Sequence, residues 1–161
     1  MLKISQETWF SPQDDCEAAL IAFVQSAQTS VRVADYSFNL QTLTDTLIAQ
    51  HNAGIDVQLV LDRSQAAGSS ERPIVAELRA AGVPLVVGTS DKHRIQHQKF
   101  IVVDGIAVLS GSYNFTHTAS LENNYFDIAH NPLRAQAFTD AWQKMWDWIL
   151  ANEAQPTSQS T

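Results

Sequence analysis

The chain has little of what would place it outside the ordinary globular proteins. Among its 161 residues there is a single cysteine, Cys16, so an intramolecular disulfide and a cysteine-based metal cluster are excluded. No apolar run approaches the roughly 20 residues that a membrane-spanning helix needs. The first ten residues, MLKISQETWF, lack the charged start and apolar stretch of a secretory signal. We therefore expect a cytoplasmic protein without a transmembrane segment, or a periplasmic or secreted one if a leader has been removed.

Positive charge is also scarce. Ten Lys and Arg residues stand against 17 Asp and Glu residues, for a formal net charge of −7. This balance argues against a protein that coats nucleic acid by bulk electrostatics, because such binding needs Lys and Arg to neutralise phosphates. The exception is a local cationic patch at residues 92–99, formed by Lys92, His93, Arg94, His97 and Lys99. A patch of this size suits one or two phosphates.

The length predicts a single domain, over residues 1–151, followed by a polar and disordered tail at 152–161. Apolar runs predict strands near 5–10, 31–36, 57–61, 84–87, 99–104, 107–112 and 125–130. Helical spacing of apolar residues predicts helices within 13–28 and 40–48, after Pro73 and after Pro132. Strands that alternate with helices indicate an α/β fold in which helices cover a sheet.

One stretch carries the parts of a phosphoryl-transfer site. Residues 97–114 read HQKFIVVDGIAVLSGSYN. In an extended segment the side chains of His97 and Lys99 lie on one face, because strand side chains alternate with a period of two, so the pair can share a single phosphate. Asp104 falls at the turn after the strand. We expect a structural or orienting role for it, since a carboxylate beside a phosphodiester would repel it.

The spacing of these residues resembles the HKD signature of the phospholipase D superfamily, which is His-x-Lys, four residues, Asp, six residues, Gly-Ser, one residue, Asn. All the signature positions match. Three upstream segments, WFSP (9–12), VRVADYSF (31–38) and VQLVLDRS (57–64), also resemble those of small Nuc-type bacterial endonucleases. The resemblance implies a phospholipase D/nuclease-like fold, in which a mixed β-sheet is flanked by helices on both faces.

The resemblance also implies a reaction. His97 would attack phosphorus to give a covalent phosphohistidine, which water later cleaves, while Lys99, Ser112 and Asn114 hold the non-bridging oxygens. Neither a metal nor another cofactor is implied. Candidate substrate-binding residues beside these are Gly111, His93, Arg94, Ser37 and Phe38, with Arg63 and Ser64 as further candidates for the rim.

Two features of the family bear on assembly and on orientation. The family mechanism uses two such histidines and this chain has one motif, so the resemblance implies a homodimer with a composite active site. Family members usually carry Asn-x-Glu downstream, whose Glu orients the nucleophilic histidine. Here Asn123 fits, but Tyr125 occupies the position of the Glu. Candidate replacements are Glu122, the Tyr125 hydroxyl and Asp127.

Three functions remain open at this stage. The first is a phosphodiesterase that acts on nucleic acid, a nuclease with little sequence preference. The second is a phospholipase D or cardiolipin-type lipid phosphodiesterase, which the same chemistry permits. The third is a catalytically weakened scaffold that binds phosphate, a reading supported by Tyr125 and by the acidic net charge.

Overall fold

The strands of the chain assemble into one mixed sheet. The computed structural model describes residues 4–155. In chain order the elements are β1 (Ser5–Ser11), α1 (Cys16–Gln25), β2 (Ser30–Asp35), α2 (Gln41–Asn52), β3 (Asp56–Asp62), α3 (Arg63–Ala66), α4 (Arg72–Ala80), β4 (Leu85–Gly88), β5 (Phe100–Val103), β6 (Ala107–Gly111), a 3-10 turn (Thr118–Leu121), β7 (Asn124–His130) and α5 (Pro132–Asn152). The strand order across the sheet is β1-β7-β6-β5-β2-β3-β4.

The sheet has a parallel half and an antiparallel half, and they meet between β2 and β5. Strands β2, β3 and β4 are parallel, whereas β5, β6, β7 and β1 follow one another as antiparallel neighbours. Strand β5 pairs antiparallel with β2, with Ala34 opposite Phe100. The end of β2 therefore lies next to the start of β5. This junction brings the segments around Asp35 and His97 together.

The turn between β5 and β6 follows from its sequence. Asp104 and Gly105 both have positive φ, 54° and 64°, as the two central residues of a type I′ hairpin turn require. Gly105 adopts this conformation without strain, and Asp is among the residues that tolerate it best. The predicted hairpin of 99–104 and 107–112 is confirmed, with the first strand one residue shorter at each end and the second one residue shorter at its C-terminal end.

Apolar residues cover both faces of the sheet. On one face α1, α2 and α4 pack against the strands through a large cluster that includes Leu20, Leu43 and Leu78. On the other face α5 alone supplies the helical layer, with Trp142 and Ile149 fully buried against strand residues such as Val102. The indole N–H of Trp142 donates a hydrogen bond to the Val33 carbonyl oxygen at 2.8 Å. Helices therefore lie on both faces of a mixed sheet, as predicted.

The C-terminal boundary differs from the prediction. The expected disordered tail begins at residue 152, yet Asn152 is the last residue of α5 and residues 153–155 are held against the sheet. Glu153 is buried, pairs with Arg63 at 2.5 Å, and accepts a hydrogen bond from the Thr89 amide at 3.0 Å. The Gln155 side chain bonds both backbone groups of Val87. These contacts order a polar segment that composition alone marks as a tail, and residues 156–161 lie outside the described part of the chain.

Candidate active site

His97 and Lys99, the pair that the sequence predicts, both lie against the ring of Tyr36 at the junction of β2 and β5. The His97 ring lies 4.7 Å, between centroids, from the ring of Tyr36. The Lys99 ammonium lies 5.4 Å from the centroid of the same ring and donates to the His97 carbonyl oxygen at 2.8 Å. His97 is exposed, whereas Lys99 is only 9% exposed. The site thus combines an accessible imidazole with a mostly buried cation.

His97 and Lys99 precede β5, which begins at Phe100. The buried side chain and backbone of Gln96 hold this segment in place outside the sheet. The Gln96 amide donates to Asp62 Oδ2 at 2.8 Å, and its Nε2 donates to the Asp35 carbonyl oxygen at 3.1 Å. Its Oε1 accepts from the Gln98 amide at 2.6 Å. The backbone on either side of His97 is therefore fixed by one glutamine rather than by strand pairing.

The carboxyl group of Asp35 is fully buried beneath this pair. Its Oδ2 accepts from the Phe115 amide at 2.8 Å, which ties the loop after Asn114 to the end of β2. Burial raises the pKa of Asp35 well above its usual range, and the nearby Lys99 charge acts in the opposite direction. Burial lowers the pKa of Lys99, and the Asp35 charge offsets part of that effect. The floor of the site is consequently a low-dielectric region in which charges interact strongly.

Ser112 and Asn114 lie at the same edge of the sheet. Phe100 pairs with Ser110, so the residues after β6 lie beyond the start of β5, where His97 and Lys99 lie. The Ser112 hydroxyl donates to Asn124 Oδ1 at 3.0 Å. Asn114 is half-buried, and its Oδ1 has no hydrogen-bond partner within residues 4–155. A phosphate oxygen needs a hydrogen-bond donor, so Nδ2 of Asn114, and not this oxygen, is the atom that could bind it.

Gly111 has a structural reason to be glycine. A Cβ at this position would come within 2.2 Å of the Tyr125 carbonyl oxygen and 2.7 Å of the Phe126 Cα. Glycine therefore lets β6 approach the backbone of β7 closely at this position. Gly111 also lines one of the two cavities beside His97.

Two cavities open beside His97, and α5 supplies a wall of each. The larger, of about 550 Å³, is lined by Thr89, Ser90, Asp91, Ile95, Gln96, His97, Gln98, Lys144, Met145 and Trp148. The second, of about 390 Å³, is lined by His97, Gln98, Lys99, Phe100, Ser110, Gly111, Ala137, Phe138 and Ala141. His97 thus borders open space on two sides, which gives a substrate access to its ring.

Asp104 lies at the opposite end of β5 from His97. Its carboxylate accepts hydrogen bonds from the backbone amides of Gln28, Thr29 and Ser30 at 2.8–3.1 Å, and from the Thr29 hydroxyl at 2.9 Å. Burial alone would raise the pKa of Asp104, but these hydrogen bonds outweigh it and lower the pKa. The residue therefore acts structurally by holding the loop before β2, and it does not border the site.

Among the predicted substrate-contact residues, Phe38 is placed differently from the prediction. Its side chain is completely buried, it packs edge-to-face on Phe115 at 6.4 Å, and its amide donates to Glu71 Oε2 at 2.8 Å. The prediction that Phe38 contacts substrate is therefore wrong, because the chain turns inward after Tyr36 to close the core. Ser37, beside it, is half-buried.

The other candidates divide between the rim and supporting roles. His93 lies against Trp148, 5.7 Å between ring centroids, and Arg94 closes a tight turn with Ser90. Both are exposed, and the residues they contact, Trp148 and Ser90, line the larger cavity. Arg63 instead pairs with Glu153, and the Ser64 hydroxyl bonds Asp62.

None of the three candidates for orienting His97 is hydrogen-bonded to it in the described part of the chain. Glu122 accepts from Asn124 Nδ2 at 3.2 Å, and Asp127 accepts from the Thr8 hydroxyl at 2.6 Å. The Tyr125 ring lies 6.3 Å from that of Phe10, near the edge strand β1.

Three of the residues that sequence reasoning missed lie at the ends of parallel strands. Asp35 and Tyr36 are part of the segment VRVADYSF, and Asp62 is part of VQLVLDRS. The available signal was a carboxylate placed directly after an apolar run, where the carboxyl ends of parallel strands meet at one edge of a sheet. Gln96 gave no comparable signal, because its role depends on bonds to residues 34 and 61 positions away in the chain.

Glu71 is a further buried acid below the site. It is 1% exposed, and burial raises its pKa to about 8 although the Phe38 amide bonds it; the charge of Asp62 raises the pKa further. Its Oε1 has no hydrogen-bond partner among residues 4–155. Burial therefore favours the protonated, neutral form of the Glu71 carboxyl group over its charged form.

The fold is that of a phospholipase D-like domain, and His97, Lys99, Ser112 and Asn114 lie at one edge of its sheet. A family model described as "Cardiolipin synthase, PLD-like domain" matches residues 20–146. The chain belongs to this family.

Solved structures show the same architecture. The chain superposes on Nuc from Salmonella typhimurium, a phospholipase D family member, with a TM-score of 0.85 and 29% identity, over 90% of this chain and 95% of that one. NucT from Helicobacter pylori gives a TM-score of 0.82 at 21% identity, over 90% of this chain and 97% of that one, and shows the shared fold alone.

Curated relatives are longer proteins. The chain is 28% identical over 134 residues to the mitochondrial cardiolipin hydrolase of Xenopus tropicalis, which is 83% of this chain and 62% of that protein. It is 29% identical over 116 residues to phospholipase D of Rickettsia prowazekii (strain Madrid E), which is 72% of this chain and 55% of that protein. The chain thus spans between 55 and 62% of the length of these two relatives.

Two features are absent from residues 4–155. No helix in this range is both long and apolar enough to cross a bilayer. In the same range there is no group of three or more His, Cys, Asp or Glu side chains arranged to hold a metal ion.

The pKa of Asp104 leads to a stability prediction. Asn tolerates a positive φ as well as Asp does, so Asp104→Asn tests the charge and its hydrogen bonds alone. Because the folded pKa is lowered, the carboxylate stabilises the fold above its ordinary pKa of about 3.9, and that contribution is lost as the pH falls below it. We expect Asp104→Asn to lower the free energy of unfolding by about 1–2 kcal/mol at pH 7. The difference from wild type should narrow toward pH 3 in denaturant titrations, and an equal loss at both pH values would contradict this account.

The buried carboxyl of Glu71 predicts the opposite pH dependence. Its folded pKa is raised to about 8, so its contribution to stability is complete below its ordinary pKa of about 4.3 and is lost as the pH rises toward 8. Glu71→Gln mimics the protonated form. We expect it to raise the melting temperature, and by more at pH 8 than at pH 5.

Thermal unfolding of wild type and Glu71→Gln at both pH values measures this difference. Glu77→Gln, on the exposed side of α4, controls for the loss of one negative charge. A gain for Glu71→Gln that is the same at pH 5 and pH 8 would show that its carboxyl is not the cause.

Proposed function

We propose that this chain is a homodimeric nuclease that hydrolyses nucleic-acid phosphodiesters with little sequence preference, through a covalent intermediate on His97. The observation that carries the proposal is the exposed His97 imidazole beside the mostly buried Lys99 ammonium, both open to cavities. An accessible imidazole can reach phosphorus. A cation held in a low-dielectric site can stabilise the charge that develops on the phosphoryl oxygens.

In the proposed reaction a ring nitrogen of His97 attacks phosphorus, so that a P–N bond forms and the bond to the leaving oxygen breaks. The leaving alkoxide takes a proton from His97 of the partner subunit. Water then attacks phosphorus, gives a proton to the partner's His97, and the P–N bond breaks. One water is consumed and both imidazoles are restored. These reaction steps require no metal ion or other cofactor.

The remaining residues have binding roles in this proposal. Lys99, Ser112 and Asn114 lie at one edge of the sheet and would hold the non-bridging oxygens. Arg94, next to the larger cavity, and Lys144, in its wall, add positive charge near the opening, and the exposed His93 offers a further polar contact. This local charge gives an acidic protein a place to receive a polyanion.

The choice of nucleic acid is supported by the extent of the similarity. The chain covers 95% of the Salmonella Nuc structure, and its upstream segments resemble those of small Nuc-type endonucleases. It covers only 62% and 55% of the two lipid-enzyme relatives.

A lipid phosphodiesterase is the second candidate, favoured by the names of those relatives and by the apolar side chains of Ile95, Met145 and Trp148 in the larger cavity. A weakened, phosphate-binding scaffold is the third candidate, because Tyr125 occupies the position of the orienting Glu.

The catalytic proposal is tested with a substrate panel in EDTA. Plasmid DNA, single-stranded RNA and cardiolipin vesicles are offered to wild type, His97→Ala and Lys99→Met, the last of which keeps the volume of the mostly buried side chain. We expect wild type to cleave nucleic acid. His97→Ala should lose roughly 10³-fold or more in rate, and Lys99→Met roughly 10² to 10³-fold.

His117→Ala is the matched control, since His117 is exposed and lines neither cavity. Inhibition by EDTA that a divalent ion reverses would contradict the metal-free reaction. Turnover of cardiolipin alone would favour the lipid candidate. Oligonucleotide binding without an acid-labile phosphohistidine would favour the scaffold.

The composite site is tested by mixing subunits. Wild type and His97→Ala are combined in varying ratios and allowed to exchange. Only wild-type homodimers contain two His97 side chains, so we expect activity to fall as the square of the wild-type fraction. Light scattering on each protein should give twice the mass of the chain. A linear fall, or full activity of a monomer, would contradict the dimer.

A further inference from the structure

The His97 imidazole needs a group that fixes its orientation, and the residue at the family position does not contact it. Tyr125 packs near Phe10, whereas Glu122 and Asp127 bond Asn124 and Thr8. The Gln96 hydrogen bonds hold the backbone around His97. They leave the two side-chain torsions of the imidazole free, so a nucleophile that must meet phosphorus in line requires a further constraint.

Tyr36 is placed to supply that constraint. Its ring lies 4.7 Å from the His97 ring with an interplanar angle of 59°, within the range of aromatic contacts. The Lys99 ammonium lies 5.4 Å from the centroid of the same ring, within cation–π distance. Among the residues described above, Tyr36 is the one whose side chain contacts both members of the proposed catalytic pair.

The Tyr36 ring is itself held at both ends. Its backbone follows Asp35, the fully buried last residue of β2. Its hydroxyl accepts a hydrogen bond from Gln65 Nε2 at 3.0 Å. The ring is half-buried. A ring fixed in this way restricts the rotation of an imidazole that packs against it.

We propose that Tyr36 is the positioning residue of this site, and that its ring aims the His97 imidazole and the Lys99 ammonium at one phosphate. It does so without the carboxylate that the family pattern places downstream. An aromatic ring orients by contact and adds no negative charge beside an anionic phosphodiester. The proposal deepens the function above and rests on His97 as the nucleophile.

The first test does not depend on activity. The His97 ring protons, assigned by their loss in His97→Gln, are recorded by NMR in wild type, Tyr36→Phe, Tyr36→Leu and Tyr125→Leu. The ring current of an aromatic side chain displaces the chemical shifts of protons that lie close to it. We expect the chemical shifts of the His97 ring protons to be displaced in wild type and in Tyr36→Phe. In Tyr36→Leu they should return to the values of an exposed histidine. Tyr125→Leu should leave them unchanged.

The second test separates positioning from stability. Tyr36→Leu should lower kcat by roughly 10–100-fold, as misplacement of a reacting group does, with KM little changed. Tyr36→Phe loses the hydrogen bond from Gln65 but keeps the ring that contacts His97, so it should retain most of the wild-type kcat. Phe10→Leu, the loss of another surface aromatic ring, is the matched control. Melting temperatures of all variants show whether any loss of kcat follows unfolding.

The outcomes distinguish this proposal from the function on which it rests. Undisplaced His97 chemical shifts in wild type would overturn the role of Tyr36, and this outcome needs only wild type and His97→Gln, a substitution at an exposed side chain. Displacement that disappears in Tyr125→Leu would assign the orienting role to Tyr125 instead. If wild type hydrolyses no phosphodiester although the His97 signals are displaced, the proposed function fails while the Tyr36 contact stands.

Discussion

The pairing of β2 with β5 is the constraint on which the rest of the site depends. Because β5 runs antiparallel to β2, the end of one strand lies beside the start of the other. Gln96 extends this contact beyond the ladder by bonding Asp35 and Asp62. His97 and Lys99 therefore enter the site from a backbone that is fixed on both sides. A phosphoryl-transfer site needs such fixed groups, since its catalysis lies in positioning and in charge stabilisation.

The same region concentrates groups that are costly to bury. Asp35 and Glu71 lie in the interior with elevated pKa values, and Lys99 is mostly buried with a lowered one. None of these improves packing, and an uncompensated buried charge lowers stability. Their presence together below an exposed imidazole indicates that the fold gives up stability to shape the electrostatics of the site. The opposite end of β5 shows the contrast, because Asp104 is satisfied by backbone amides and stabilises the hairpin.

Most of the fold could be predicted, because its signals are local. The strands of the parallel half are rich in Val and Leu, with one polar residue inside β2 and one inside β3, and Asp104-Gly105 specifies a tight turn. Pro73 and Pro132 lie at the starts of α4 and α5. The short helix α3 was missed because four residues are too few for a period to show, and the order in residues 153–155 was missed because it comes from contacts with Arg63, Val87 and Thr89.

The sequence by itself determined the class of chemistry. The spacing of His97, Lys99, Ser112 and Asn114 is a one-dimensional pattern, and alternation along an extended chain already brings the first two onto one side. Only the tertiary structure decided which residues support them. Tyr36, Asp35 and Gln96 act through contacts between segments about 60 residues apart, and Phe38, one residue beyond Ser37, proved to be core. A linear pattern records which side chains a site contains, whereas their surroundings arise from strand order and register, which bring distant parts of the chain together.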